Sequence, residues 1–171
     1  TETILTHGHH DHAEGAPRFA ELTGTRVRAV GRGHDDLAHG DLVRAGGLEL
    51  RVVATPGHTG DSVSFALAAD HALLTGDTVL GRGTTVVAHP DGELTAYLSS
   101  LERLRELTGN GEVTRILPGH GPTVPDAAAM VEFYRVHRHE RLEQVRQALA
   151  DGAAGEPDPV EGVLRRVYAE V

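Results

Sequence analysis

The densest chemistry in the sequence lies at Thr6-His7-Gly8-His9-His10-Asp11-His12. His7 and His9 are two residues apart, so at the end of an extended strand both imidazoles point to one side. Asp11 and His12 follow where the chain should turn into a helix. Neutral imidazole and carboxylate are both metal ligands. The first pair and the second pair point differently, so these four groups can serve two metal ions. Without a cation among them, ionisable groups this close would repel or titrate abnormally. His10, between the pairs, is expected to point away.

Three further segments repeat one local grammar. Thr55-Pro56-Gly57-His58-Thr59, Leu74-Thr75-Gly76-Asp77-Thr78 and Leu117-Pro118-Gly119-His120-Gly121 each follow an apolar run and present one His or Asp from a tight Gly turn. Strand ends at one rim of a sheet are where α/β proteins place their sites. Each of these residues alone would be an ordinary loop residue. Together with the first cluster they supply five His and two Asp, a set suited to two-metal hydrolysis.

Composition agrees with a metal site and removes other chemistries. The 171 residues contain twelve His, where a background of roughly 2% would give three or four. Cysteine is absent, which excludes disulfides, Cys-ligated zinc, iron–sulfur clusters and thiol catalysis. Lysine is also absent, so all sixteen cationic side chains are Arg and Schiff-base or P-loop lysine chemistry is excluded. A net charge of −9 disfavours nonspecific nucleic-acid binding. No apolar run approaches the ~20 residues a membrane span needs, and the expected location is the cytoplasm. His34, His39, His71 and His89 lie among Asp and Gly in expected loops and are not expected to be ligands.

The elements that must position these residues follow from periodicity. Strands are expected at 3–6, 26–30, 48–55, 62–67, 72–75 and 114–117, with a turn around Asp70. A helix is expected from Glu14 to Leu22, ended by Gly24. Leu94, Tyr97, Leu98, Leu101, Leu104 and Leu107 fall at helical spacing and predict an amphipathic helix over 93–107. From Pro125 the chain changes character: a long helix to about Ala150, a Gly/Ala-rich linker, and then Asp158-Pro159 as N-cap and first helical residue. Val160, Val163, Leu164, Val167, Tyr168 and Val171 form one apolar stripe, expected to pack. The alternation indicates an α/β protein, with domains expected at 1–124 and 125–171 and a linker near 151–157.

His-x-His-x-Asp-His at 7–12, with His58, Asp77 and His120 in that order, resembles the metallo-β-lactamase-like hydrolase superfamily, glyoxalase II-like hydrolases included. The resemblance implies an αββα sandwich with two divalent ions, most often zinc, with iron or manganese as alternatives. It implies His7, His9 and His58 on one metal, Asp11, His12 and His120 on the other, and Asp77 bridging. Asp11 and Asp77 are then the catalytic carboxylates, with Asp11 also orienting the nucleophile. The absence of Cys sets the chain apart from the common class B β-lactamases. His9 stands where diiron flavoprotein relatives usually carry Glu. In the family the motif lies well inside the domain. The N-terminal part of the sandwich is therefore expected to be missing, the chain being part of a longer protein.

The segment Gly76-Asp77-Thr78-Val79-Leu80-Gly81, running on to Gly83-Thr84-Thr85-Val86, and Tyr134-x-x-His137-Arg138-x-x-Arg141 are similar to the lactamase-beta-like protein 2 group. This makes Thr84, Arg138 and Arg141 candidate substrate-binding residues. Arg138 and Arg141 are near neighbours on one helix. They could meet an anionic substrate, or form a salt-bridged face with Glu140 and Glu143. The expected activity is hydrolysis (EC class 3) of an ester, thioester, lactone or phosphodiester. The resemblance also implies two alternatives, an endoribonuclease acting on single-stranded RNA and a mono-iron persulfide dioxygenase-like oxidoreductase. Small-molecule or RNA substrate is the expected partner, and the residues are silent on oligomeric state.

Overall fold

A computed structural model describes residues 2–31, 33 and 37–168. The chain divides into two compact units, Thr1–Glu132 and Phe133–Val171.

The first unit carries two sheets. β1 (Glu2–Ile4) pairs in parallel with β2 (Arg26–Arg28), and α1 (His10–Ala13) and α2 (Ala16–Thr23) lie in the connection. The second sheet has the order β3 (Leu42–Ala45), β4 (Leu48–Ala54), β5 (Val63–Leu67), β6 (Ala72–Gly76), β7 (Arg115–Pro118). β3 to β6 form an antiparallel meander, and β7 joins β6 in parallel after α3 (Leu94–Gly109). One consequence governs the site: β4, β6 and β7 run in the same direction, so their C-terminal ends reach the same edge of the sheet.

The sheet is buried on both faces. Cross-strand register places Val52, Phe65 and Leu74 on one face, where they pack in one cluster with Val43, Val63 and Leu37 and with Ile4 and Val30 from the β1–β2 side. Val53, Ser64, Ala66, Leu73 and Ile116 occupy the other face. There α3 is anchored by Ser100, which donates to the Pro56 carbonyl, and by Arg103, which donates to the Ala54 carbonyl. Tyr97, Leu101 and Leu104 of α3 are fully buried. With α2 against β2, the layers are helix, sheet, sheet, helix: an αββα sandwich, as the resemblance implied.

Local signals account for most boundaries. Glu93 caps α3 by accepting from the Thr95 and Ala96 amides at 2.9 and 2.7 Å, which places the helix start at Leu94. The strand expected at 3–6 ends at Ile4, because the Thr6 carbonyl turns to accept from the Val63 amide of the second sheet at 2.8 Å. β3 was not anticipated. Its signal is Gly46-Gly47, both at positive φ (59° and 83°), a pair suited to a tight two-residue hairpin turn.

In the second unit, α4 (Ala127–Ala150, which begins before the boundary) is followed by a short 3₁₀ turn at Ala153–Gly155 and α5 (Pro159–Val167). Asp158 caps α5 through the Val160 and Glu161 amides. The apolar stripe on α5 is partly exposed at Val160, Leu164 and Tyr168; Val171 lies outside the described residues.

Gly57 shows how tightly α3 is seated. Its φ is +136°, and a Cβ there would sit 2.3 Å from the Tyr97 Cα. Gly57→Ala is expected to cost about 3 kcal/mol or more from backbone strain plus overpacking, read as a lowered urea midpoint with secondary structure retained below it.

Candidate metal centre

Each ligand candidate is delivered by a strand end. β1 leads through Thr6 into His7 and His9, and α1 then presents Asp11 and His12. β4 leads to His58, β6 to Asp77 and β7 to His120. Because the last three strands are co-directional, their loops meet over one edge.

Two close approaches depend on glycine. Gly76, at φ +50°, lies against Thr6, whose Cβ would be 2.7 Å from an added methyl group. At Gly119 an added Cβ would lie 2.5 Å from Asp77 Oδ1 and 2.8 Å from His12 Cε1. A side chain there would fill the space between two candidate ligands.

The seven side chains converge. His9 Nδ1 lies 3.1 Å from His7 Nε2 and 3.0 Å from His58 Nε2. His12 Nε2 lies 3.1 Å from His120 Nε2, which is 3.1 Å from Asp11 Oδ2. Asp77 stands between the two sets: Oδ1 is 3.4 Å from His12 Nε2, and Oδ2 is 3.5 Å from His120 Nε2 and 3.7 Å from His58 Nε2. Three groups therefore have ligand atoms within 4.8 Å of one another: His7, His9 and His58; Asp11, His12 and His120; and His7, His12 and Asp77.

This donor set fits divalent metal. Four ligands at zinc distances of 2.0–2.1 Å in a tetrahedron lie about 3.4 Å apart, and the spacings here scatter around that value. Hydrogen positions argue the same way. His58 Nδ1 lies 2.7 Å from the Val86 carbonyl and must donate to it, which leaves Nε2 a bare lone pair facing the cluster. Asp77 Oδ1 is buried and accepts no hydrogen bond among the described residues. Lone pairs and carboxylate oxygens turned on one another are stable only around cations.

The electrostatics separate an inner from an outer group. His7 is 3% exposed, and its pKa falls from the ordinary 6.5 to about 3, through burial first and then its neighbours His12, His58 and His9, against an opposing pull from Asp61. It is thus neutral across the physiological range. At the mouth, the side chains of His120 and Asp11 are 51% and 60% exposed. Partial desolvation pushes the Asp11 pKa up, but its backbone hydrogen bond and the imidazoles of His12, His120 and His7 outweigh it, so the net shift is downward. Asp11 is therefore ionised at neutral pH.

Other residues singled out from sequence lie elsewhere. His10 is directed to Glu14 on the exposed side of α1, 2.7 Å away. His39 accepts from the Ala54 amide, and His34 lies outside the described residues. Thr84 is half-buried on the segment that lends the Val86 carbonyl to His58. Arg138 and Arg141 belong to the second unit. Arg141 donates to Gln144 Oε1 at 2.9 Å and the Val167 carbonyl at 3.2 Å, and its guanidinium lies over the Tyr168 ring. Residue types did not disclose the supporting layer: the Thr6 hydroxyl 3.1 Å from His7 Nδ1, the Val86 carbonyl, and Thr85 donating to the Asp77 carbonyl. Of these, only Thr6 carried a signal, its position just before His7.

Residues 2–120 match the metallo-beta-lactamase superfamily. The chain belongs to that superfamily. It is 33% identical over 181 residues to a beta-lactamase-like protein 2 homolog of Caenorhabditis elegans, covering 98% of this chain and 57% of that protein. It is also 33% identical over 190 residues to an atrochrysone carboxyl ACP thioesterase of Aspergillus fumigatus, with the same coverages. A beta-lactamase domain protein from Burkholderia ambifaria superposes with a TM-score of 0.77 at 26% identity, over 98% of this chain and 62% of that one. The chain thus spans just over half the length of the curated relatives it matches. No helix among the described residues is long and apolar enough to cross a membrane.

The depressed pKa of His7 has a measurable consequence. In the unfolded chain this imidazole protonates near 6.5, whereas in the metal-free folded chain it stays neutral to about 3. Between those values the unfolded state binds more protons, so stability of the metal-stripped protein should fall as pH drops through 6.5. Urea midpoints from pH 7 to 4 should decline, and less steeply in His7→Gln.

Proposed function

We propose that the chain carries the catalytic centre of a metal-dependent hydrolase acting on a thioester or a related activated acyl bond, with His7, His9 and His58 holding one divalent ion, Asp11, His12 and His120 a second, and Asp77 shared between them. The carrying observation is the convergence of five imidazoles and two carboxylates from strand ends at one edge, at ligand-to-ligand spacings. The relative described as an acyl-carrier-protein thioesterase supports the acyl substrate. Zinc is the ion the nitrogen-rich donor set suits best, with iron and manganese also able to bind imidazole and carboxylate. Bound divalent ions would lower the pKa of water and neutralise charge developing on the acyl oxygen.

This chain's residues then perform positioning and proton transfer. His7, neutral and buried, presents a lone pair that needs no deprotonation, and the Val86 carbonyl holds the His58 ring with Nε2 towards the cluster. Asp77 is held at its own backbone by the Thr85 hydroxyl. Asp11 is ionised and solvent-accessible at the mouth, so the carboxylate oxygen not engaged by an ion can take a proton from the attacking water. The water oxygen bonds to the acyl carbon and the C–S bond breaks. The proton held on Asp11 then passes to the departing sulfur.

A second reading has one ion per chain, iron, and oxidative chemistry. The contrast between buried His7, with His9 and His58 half-buried beside it, and the exposed Asp11–His120 edge favours it, since an exposed edge holds metal less firmly. A third, cleavage of single-stranded RNA, uses the same hydrolytic residues on phosphorus.

The test is turnover of a generic acyl thioester and of a short single-stranded RNA, each with and without chelator, beside metal analysis. Chelator-sensitive thioester hydrolysis with two zinc ions per chain is the expected result. One iron per chain without hydrolysis would favour the second reading, and RNA cleavage alone the third. Asp77→Ala should abolish hydrolysis and lower metal content, whereas His10→Ala should leave both unchanged. A role for Arg138 in binding an anionic substrate group predicts a raised KM with kcat retained in Arg138→Ala.

A further inference from the structure

We propose that helix α3 acts as a clamp that sets the separation of His58 and Asp77, through Tyr97, Ser100 and a buried chain of hydroxyls at Thr78, Thr55 and Ser64. The proposal rests on the reading of the site as a metal centre.

The geometric problem is specific. His58 follows β4 and Asp77 follows β6, and β5 lies between them. Two interstrand spacings separate β4 from β6 by about 9.5 Å, yet His58 Nε2 and Asp77 Oδ2 are 3.7 Å apart. The two side chains must reach towards each other across the end of β5, and the loops that carry them must be held at a fixed separation for them to meet.

α3 grips both loops from one face. Tyr97 and Ser100 are three residues apart and so are neighbours on the helix surface. The Tyr97 hydroxyl donates to the Thr78 carbonyl at 2.7 Å, next to Asp77. The Ser100 hydroxyl donates to the Pro56 carbonyl at 2.7 Å, two residues before His58. At the start of the helix the Glu93 amide donates to the Gly57 carbonyl at 2.9 Å.

A second connection runs beneath the loops. Thr78 Oγ1 donates to Thr55 Oγ1 at 3.1 Å, and Thr55 Oγ1 lies 3.1 Å from Ser64 Oγ on β5. All three residues are buried. Thr78 donates to Thr55, and the Thr55 and Ser64 hydroxyls share one further hydrogen bond. The chain crosses the intervening strand and joins the residue after Asp77 to the end of β4. Loss of a group bonded directly to a metal ligand typically weakens metal affinity about 10–100-fold; these bonds act one step further out, through the loops that carry the ligands. Tyr97, Ser100, Thr78, Thr55 and Ser64 are positioning residues: the hydrogen bonds described above go to backbone or to one another.

The test uses cobalt(II) as probe, with a competing chelator to measure affinity and visible absorption to report ligand geometry. Tyr97→Phe keeps the ring and removes the hydroxyl; Thr78→Val removes the start of the hydroxyl chain. Both should bind cobalt severalfold more weakly, short of the roughly 10–100-fold typical of a group bonded directly to a ligand, with altered absorption bands. Thr78→Ser should restore affinity and spectrum. Ser99→Ala, which loses only a bond to the Thr95 carbonyl on the exposed side of α3, should match wild type. Thermal unfolding of the metal-free forms identifies variants that have lost the fold, and if Tyr97→Phe is one of them the Thr78 pair decides. Folded Tyr97→Phe and Thr78→Val proteins with wild-type affinity and spectrum would overturn the clamp while leaving the metal centre intact. A wild type that takes up no cobalt would overturn the metal reading and the clamp together. A wild type that binds cobalt but hydrolyses no thioester would overturn the hydrolase reading alone.

Discussion

Imidazole nitrogens and carboxylate oxygens crowded onto one another are the constraint around which the domain is organised. Five imidazoles and two carboxylates approach to 3.0–3.7 Å. In water such groups would separate and hydrate. Here they are held by a frame of buried strands, and the cost of assembling them falls on that frame until cations offset it. The buried end of the cluster expresses this cost most plainly, since burial and neighbouring imidazoles keep His7 from taking up a proton.

The frame bears that load through strand direction and close approach. An antiparallel meander followed by one parallel crossover leaves β4, β6 and β7 pointing the same way, so each of their ends contributes one candidate ligand to the same edge. The loops come close because glycines stand where side chains would collide: Gly76 against Thr6, Gly119 against Asp77 and His12, Gly57 against the backbone of α3. The site is thus tied to the core, and a methyl group at any of these positions would be felt at the ligands.

The second unit carries a different chemistry. Its arginines and histidines are close together on α4, and burial followed by Arg138 and Arg141 pushes the His137 pKa down, against Glu140. Arg141 Nη1 donates to Gln144 and the Val167 carbonyl, and its guanidinium lies over the Tyr168 ring, contacts that help hold α5 to α4.

The sequence by itself determined the ligand types and the grammar that delivers them, because a strand ending in Gly followed by His or Asp is a local pattern, and the spacing of His7 and His9 is set by strand geometry alone. It also determined the alternation of strands and helices, the cap at Asp158 and the face of α3 that would be buried, since periodicity and capping depend on near neighbours. Tertiary structure decided what depends on residues far apart in the chain. Strand 3–6 stops at Ile4 because Thr6 is taken by Val63 of the other sheet. The tautomer of His58 is set by a carbonyl 28 residues away, and Asp77 lies between two ligand sets only because β4, β6 and β7 are co-directional. Those contacts are made across the fold, where no sequence neighbour constrains them.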